Sequence, residues 1–330
     1  MKKKSSSPTM KDVARIAGVS LGTVSNVFNG IPVSEPYKIK VEEAAKELGY
    51  QINRYARGLK TNHSRIIALI LPSTSHPYFG ELASSIQHSL IKRNYQTLLA
   101  LTNSSYDIEN RCIQMVSENK VDGIIALTYN PDLEISEDLP FVSIDRFYSH
   151  SVPCVSSDNY GGGYLAGQKL YERGCRKMLF MNTRPDTNGE PDKRQIGFEA
   201  FCKVKGISCE SIITNDEVNI KPFKGMLQER THDGKPDFDG IFCNTDFIAY
   251  HVMNILRSIQ IRVPEDVQII GFDGINIFND PRLPAVSTIV QSTDQIAESA
   301  VSILLSGDRS KIPSLTCLPV YFRAGGTTKE

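Results

Sequence analysis

Residues 9–29 read Thr9-Met-Lys-Asp-Val-Ala-Arg-Ile-Ala-Gly-Val-Ser-Leu-Gly-Thr-Val-Ser-Asn-Val-Phe-Asn29, and this stretch decides the architecture of the N-terminal part. Thr9, with Asp12 three residues on, makes a capping-box-like helix start. Val13, Ile16 and Ala17 fall on one face by i, i+3, i+4 spacing. Gly18-Val19 turns the chain, Ser20 is a good N-cap for a second helix, and Val24, Val27 and Phe28 form its inward stripe. A third helix follows: Ser34 caps it, Pro36 suits its first turn, Ile39, Val41, Ala44, Ala45 and Leu48 are its apolar positions, and Gly49 stops it. Two helices joined by a Gly turn and followed by a third describe an all-α helix-turn-helix head. The outward face of the second helix holds Leu21, Gly22, Ser25, Asn26 and Asn29. Thr23, Ser25 and Asn29 can donate to phosphates, and Asn26 can pair with an adenine edge. The same spacing fits a small helical domain for protein contact, so both readings stay open on spacing alone.

Charge favours the nucleic-acid reading. The 330 residues carry 37 Lys+Arg and 37 Asp+Glu, a neutral total. Residues 1–62 hold eleven of the basic residues and only five of the acidic ones, and the rest of the chain is correspondingly acidic. A basic head on an acidic body implies a polyanion partner for the head alone.

Other classes are disfavoured. The longest apolar run, about Ile66 to Leu71, is far short of the roughly 18 residues a membrane helix needs. The start, Met1-Lys-Lys-Lys-Ser-Ser-Ser-Pro8, has no apolar segment after its charges, so a secretory signal is not expected. Seven cysteines (112, 154, 175, 202, 209, 243, 317) are scattered without a CxxC pair. Reduced thiols in a cytoplasm fit best, with neither a disulfide framework nor a zinc site. The six histidines show no HxxxH or HExxH pairing, so no metal is expected. No GxSxG elbow appears, and nothing argues for an enzyme or a cofactor. Gly161-Gly162-Gly163 lacks phosphate-loop spacing, and a flexible crossing between subdomains is expected there.

Asn53-Arg-Tyr-Ala-Arg-Gly-Leu-Lys-Thr61 is short and basic. It reads as a linker, or as a short helix that orders on DNA with Arg54 and Arg57 at phosphates and Leu59 as a wedge at a base step. From residue 65 strands alternate with helices. Strands are predicted at 66–71, 96–101, 123–127, 141–144, 154–156, 178–181, 209–213, 240–243, 267–271 and 317–322. Helices are predicted at 77–93, 107–119, 159–173, 193–205, 218–230, 246–259 and 293–305. Such alternation implies parallel sheets covered on both faces, and the count exceeds one sheet. Two doubly wound α/β subdomains with a cleft between them follow. Ligands in such folds sit beyond the carboxyl ends of strands, which singles out Ser73–Phe79, Asp145-Arg146, Asn244-Thr245-Asp246 and Gly271-Phe272-Asp273-Gly274. Acidic and amide groups at several strand ends suit a polyhydroxylated ligand. Any one of them alone reads equally well as a helix cap or turn residue.

The head string, with Glu47-Leu48-Gly49-Tyr50 and Asn53-Arg54-Tyr55-Ala56-Arg57-Gly58-Leu59, resembles the signature of LacI/GalR-type (lactose/purine repressor-like) bacterial transcriptional regulators. Pro77-Tyr78-Phe79, Asp145-Arg146, Asp158-Asn159, Arg194-Gln-Ile-Gly197-Phe198, Thr245-Asp246, Gly271-Phe272-Asp273 and Thr288-Ile289-Val290-Gln291 follow in the family's order. The resemblance implies a helix-turn-helix domain at 1–52, a hinge at 53–62, and a periplasmic-binding-protein-like effector and dimerisation domain at 63–330. Its N-subdomain would comprise 63–159 with 292–317, and its C-subdomain 160–291 with 318–330. By the same resemblance the head touches operator DNA through Thr9, Ser20, Leu21, Gly22, Thr23, Ser25, Asn26 and Asn29. The hinge would do so through Asn53, Ala56, Arg57 and Leu59. Effector contacts are implied for Tyr78, Phe79, Asp145, Arg194, Thr245, Asp273 and Gln291.

The chain departs from the family pattern at three places. Asn26 stands where many relatives have Arg, Ile52 where a Pro usually precedes the hinge, and Thr245 where Asn is common. A pseudo-palindromic double-stranded operator, a small-molecule effector such as a sugar or nucleoside, and a homodimer are the implied partners. The chain ends at Thr328-Lys-Glu330 without a leucine-heptad tail, which favours a dimer over a tetramer. The alternatives are a soluble sugar-binding protein, or an α/β enzyme, carrying an unrelated helical head.

Overall fold

The computed structural model describes residues 8–28, 30–50, 63–118, 120–128, 130, 133, 139–147, 151–183, 189–214, 221–275, 284–306 and 312–330. Two compact units divide at Ser64/Arg65.

The first unit is helical. α1 (Met10–Ala17) starts with the capping box: the Thr9 hydroxyl accepts from the Asp12 amide while the Asp12 carboxylate accepts from the Thr9 amide. Gly18 ends it in the left-handed region at φ 64°, where a Cβ would strain the backbone. α2 (Leu21–Phe28) follows, its first turn held by the Ser20 hydroxyl accepting from the Thr23 amide at 3.1 Å. α3 (Glu35–Leu48) follows, with Gly49 as its left-handed cap. Val13, Ala14, Ala17, Val24, Val41 and Ala44 form the core. Three details differ from the sequence reading. Ser34 makes no side-chain cap bond, and Ile16 and Ile39 are exposed. Three short helices enclose too little volume to bury every apolar position of an i, i+3, i+4 stripe.

The second unit holds two six-stranded sheets. The first runs β13-β5-β4-β3-β1-β2, built from β1 (Ile66–Leu71), β2 (Gln96–Leu101), β3 (Gly123–Leu127), β4 (Phe141–Ile144), β5 (Cys154–Ser157) and β13 (Leu315–Leu318). The second runs β14-β12-β11-β10-β6-β7, from β6 (Lys177–Asn182), β7 (Ser208–Ile213), β10 (Gly240–Cys243), β11 (Gln268–Asp273), β12 (Ser287–Val290) and β14 (Tyr321–Arg323). β8 (Thr231–His232) and β9 (Lys235–Pro236) form a small separate ribbon. All pairings in the two large sheets are parallel except β12 with β14. Central strands such as β1 and β3 are continuous apolar runs because helices cover both faces. α4 (Pro77–Lys92), α5 (Tyr106–Glu118) and α10 (Thr293–Leu304) belong with the first sheet, and α6 (Asn159–Glu172), α7 (Lys193–Lys205), α8 (Lys221–Glu229) and α9 (Asp246–Ser258) with the second. Separate apolar clusters fill the two faces of each sheet.

Two corrections concern strands. The single strand predicted over 317–322 is two strands in different sheets, β13 and β14, divided at Pro319-Val320. Proline lacks the N–H a continuous ladder requires, so it suits the break. β12 was not predicted from strand patterning; its four residues are too few to show a period. The chain therefore passes between sheets three times, after β5, after β12 and after β13.

A third correction concerns Gly161-Gly162-Gly163. It is no flexible crossing but the first turns of α6. A Cβ on Gly163 would stand 1.9 Å from the Arg194 carbonyl oxygen, and one on Gly197 would stand 2.0 Å from the Tyr160 carbonyl oxygen. Gly163 and Gly197 are there because α6 and α7 touch backbone to backbone, whereas a Cβ on Gly162 would meet the Phe272 ring.

Candidate functional site

On the helical unit, α2 buries Val24 and turns the rest of its first turn outward. Leu21 is 44% exposed, Ser20 and Gly22 are exposed, and Thr23, Ser25 and Asn26 are partly covered. The Ser20 and Thr23 hydroxyls meet at 2.9 Å. Thr9 is exposed, its hydroxyl donating to Asp12 at 2.7 Å. Thr9 and Ser20–Thr23 thus lie at the starts of two successive helices, where N–H groups suit anions, and Ser25 and Asn26 follow further along α2. Asn29, Asn53, Ala56, Arg57 and Leu59 lie outside the described residues.

In the α/β unit a cavity of about 280 Å³ opens between the carboxyl ends of the two sheets. That is near the lower bound for small-ligand pockets. Six of the seven effector candidates line it: Tyr78, Phe79, Asp145, Arg194, Thr245 and Asp273. Each comes from a strand end or from the helix turn that follows, which is why residues as far apart in the chain as Tyr78 and Asp273 meet. Gln291 does not line the cavity. It is buried behind it, its amide donating to Asp273 Oδ1 at 2.8 Å while its carbonyl accepts from the Ser157 hydroxyl at 2.8 Å.

These bonds belong to a closed polar ring at the crossovers. The Ser156 hydroxyl donates to Asp145 at 2.8 Å. The Asn159 amide donates to Ser156 Oγ and to the Ser157 carbonyl, each at 3.0 Å. Arg194 Nε donates to Asn159 Oδ1 at 2.7 Å and its Nη1 to the Asn244 carbonyl at 2.7 Å. Nη1 also lies 3.6 Å from Asp273 Oδ1. The guanidinium stacks on Phe272, 3.7 Å from the ring centre. Asp273, Gln291 and Ser157 complete the circuit. It joins β5 of the first sheet to α6, α7 and β11 of the second, across two of the three crossovers.

The carboxylates are costly to bury, and the structure holds them in unusual states. Asp145 sits at φ 58° and Asp273 at φ 113°, backbone regions that L-residues rarely adopt and that cluster at functional sites. Burial pushes Asp273 up to about 7, against the pull of Arg194 and the Gln291 amide. Burial also raises Asp145, opposed by Arg194 and the Ser156 hydroxyl. Asp246, at the start of α9, accepts from the Gly274 and Ile275 amides at 2.8 and 2.7 Å. Burial raises it well above the usual carboxylate range, and the Asp273 charge adds to this.

Sequence reasoning missed Asn182, Thr183, Asp192 and Phe247 as cavity walls. The strand-end rule reaches Asn182 and Thr183 once applied to β6. Asp192 carries no comparable signal, because it depends on how the segment before α7 folds back. Among the described residues no group of three His, Cys, Asp or Glu side chains is placed to hold a metal ion, and no helix is long and apolar enough to cross a membrane.

Comparison with known proteins adds to this geometry. Residues 64–317 match the family described as periplasmic binding proteins and sugar binding domain of LacI family. Residues 9–53 match the bacterial regulatory proteins, lacI family. The chain is 34% identical over 323 residues to the sucrose operon repressor of Streptococcus mutans, across 96% of this chain and 98% of that one. It is similar to a periplasmic binding protein/LacI transcriptional regulator from Alkaliphilus metalliredigens complexed with D-xylulofuranose, with TM-score 0.70 and 26% identity over 81% of this chain and 100% of that one. It shares its fold with a lac repressor dimer bound to operator and the anti-inducer ONPF, with TM-score 0.83 and 20% identity over 98% of this chain and 100% of that one.

Proposed function

The chain belongs to the LacI family of bacterial regulatory proteins, and from that premise we propose that it is a repressor whose grip on an operator is set by a sugar held between its two lobes. The observation that carries the reading is the cavity itself. It brings carboxylates from both sheets, Asp145 and Asp273, together with the rings of Tyr78, Phe79 and Phe247. Carboxylates accept sugar hydroxyls, and aromatic faces cover the apolar face of a pyranose or furanose. The sucrose operon repressor name of one relative and the xylulofuranose bound to another support a sugar over a nucleoside.

In this reading Leu21, Gly22 and Asn26 meet base edges, while Thr9, Ser20, Thr23, Ser25 and Asn29 hold phosphates. Leu21-Gly22 offers no side-chain hydrogen bond, so discrimination there rests on apolar contact and DNA shape. The segment 53–62 is the hinge, with Asn53, Ala56 and Arg57 along the backbone and Leu59 as the minor-groove wedge. The protein works as a homodimer in the cytoplasm, two heads on two half-sites. The sugar changes operator affinity only through different affinities for two lobe arrangements, typically ~1–3 kcal/mol of coupling. The ring of Asp145, Ser156, Asn159, Arg194, Asp273, Gln291 and Ser157 is where such arrangements differ, because it spans the crossovers.

A gel-shift titration tests this: full-length protein on the pseudo-palindromes upstream of its own and adjacent genes, with and without sucrose, fructose, ribose or xylulose. A specific complex whose affinity one sugar changes at least fivefold is expected. Binding indistinguishable from that on random DNA, with or without every sugar, refutes the reading.

A further inference from the structure

The cavity's charge carries a further conclusion, which rests on the sugar reading above and narrows it: we propose that the effector is an uncharged, unphosphorylated sugar, and that the cavity excludes sugar phosphates.

Three acids, Asp145, Asp192 and Asp273, line the cavity, and among its described walls Arg194 is the only cation. That cation is already committed. Its Nε is bonded to Asn159 and its Nη1 to the Asn244 carbonyl, its charge faces Asp273, and Phe272 covers its plane. A phosphate would have to displace Asp273 from Arg194, leaving a buried carboxylate without its counter-charge.

The backbone donors point the same way. Successive amides in a turn at a strand end make a natural anion cradle. Here the Gly274 and Ile275 amides form such a cradle, and the chain's own Asp246 carboxylate fills it through Oδ2. At the start of α9 the Thr245 hydroxyl takes the Ile248 amide. At the start of α4, Pro77 has no amide to offer. These backbone donors are thus answered by groups of the protein. Apart from Arg194 and the three acids, the described walls offer hydroxyls, amides and aromatic rings, among them Ser73, Ser104, Thr183 and Asn244. The Asn244 side-chain oxygen is buried and accepts no hydrogen bond, so a ligand hydroxyl that donates satisfies it, whereas a fully ionised phosphate oxygen repels it.

Isothermal titration of the full-length protein at pH 7.5 and 0.15 M salt, with matched pairs, tests this. The probes are fructose and fructose 1-phosphate, sucrose and sucrose 6-phosphate, ribose and ribose 5-phosphate. The expected result is that at least one free sugar binds and its phosphate binds at least 100-fold more weakly. Asp192→Asn, at the partly exposed wall, is expected to shrink that ratio several-fold, which simple steric exclusion would not do. A phosphate that binds as well as or better than its parent overturns the charge argument and leaves the sugar reading standing. A ratio unchanged by Asp192→Asn also overturns the charge argument. If no member of any pair binds, the sugar reading itself fails, and this inference with it.

Discussion

The α-carbon of Gly163 lies so close to the carbonyl of Arg194 that a Cβ there would come within 1.9 Å of the oxygen. This contact presses α7 onto α6 and lets the Arg194 side chain reach Asn159 at 2.7 Å. The position of the cavity's cation is thus set by the absence of a methyl group one helix away.

Gly163→Ala is therefore expected to act as an overpacking change, costing about 1–3 kcal/mol. It should also displace Arg194. Thermal unfolding should show a lowered midpoint, and titration with the active sugar should show at least a tenfold weaker affinity. Unchanged sugar affinity would separate the helix contact from the site.

Arg194→Gln removes the charge facing Asp273 and Asp145. Breaking one side of a buried pair typically costs about 3–5 kcal/mol. Chemical unfolding should register that loss. Gel shifts should show an operator complex that no sugar alters. A variant as stable as the parent would mean the two carboxyls take up protons at no cost.

Asp273 makes stability and sugar binding depend on pH. Its folded value, about 7, lies above the ordinary carboxylate value. Between about pH 4 and 7 the folded chain therefore holds a proton that the unfolded chain releases, and this group's contribution to stability falls as pH rises through that window. Arg194 and Gln291 oppose the shift, while Asp145, Glu81 and Asp246 are the acids that face it. Sugar hydroxyls donate to the ionised form, so sugar affinity should rise from pH 6 to 8. Asp273→Asn should gain more stability at pH 8 than at pH 5, and should lose the pH dependence of binding along with most of the binding. Parallel stability profiles for parent and variant would remove Asp273 as the titrating group.

Two DNA variants separate reading from gripping. Asn26→Ala is expected to lower specific operator affinity about 10- to 100-fold and to relax preference at one base pair per half-site. Leu59→Ala should weaken the specific complex while leaving most of the salt-dependent binding to random DNA. Equal losses on operator and random DNA, measured by gel shift over a salt series, would rule out both roles.

Much of this protein was legible from residue order, for a physical reason. Helix caps, left-handed glycines and strand periodicity act over three to six residues, so Thr9 with Asp12, Gly18, Gly49 and the runs of β1 and β3 declare themselves locally. The strand-end rule then points to Asp145, Thr245 and Asp273, because parallel topology sends every strand's carboxyl end to the same side. What only the tertiary structure decided is how distant positions share space. The triple glycine reads as a loop until Gly163 is seen against α7 and Gly162 against Phe272. Gln291 reads as a ligand contact until its amide is found joining Asp273 to Ser157. Residues 317–322 read as one strand until they are seen divided between two sheets. The first depends on how two helices pack on one sheet and the others on which surfaces meet across the crossovers, and close packing between segments distant in the chain leaves no periodic trace along it.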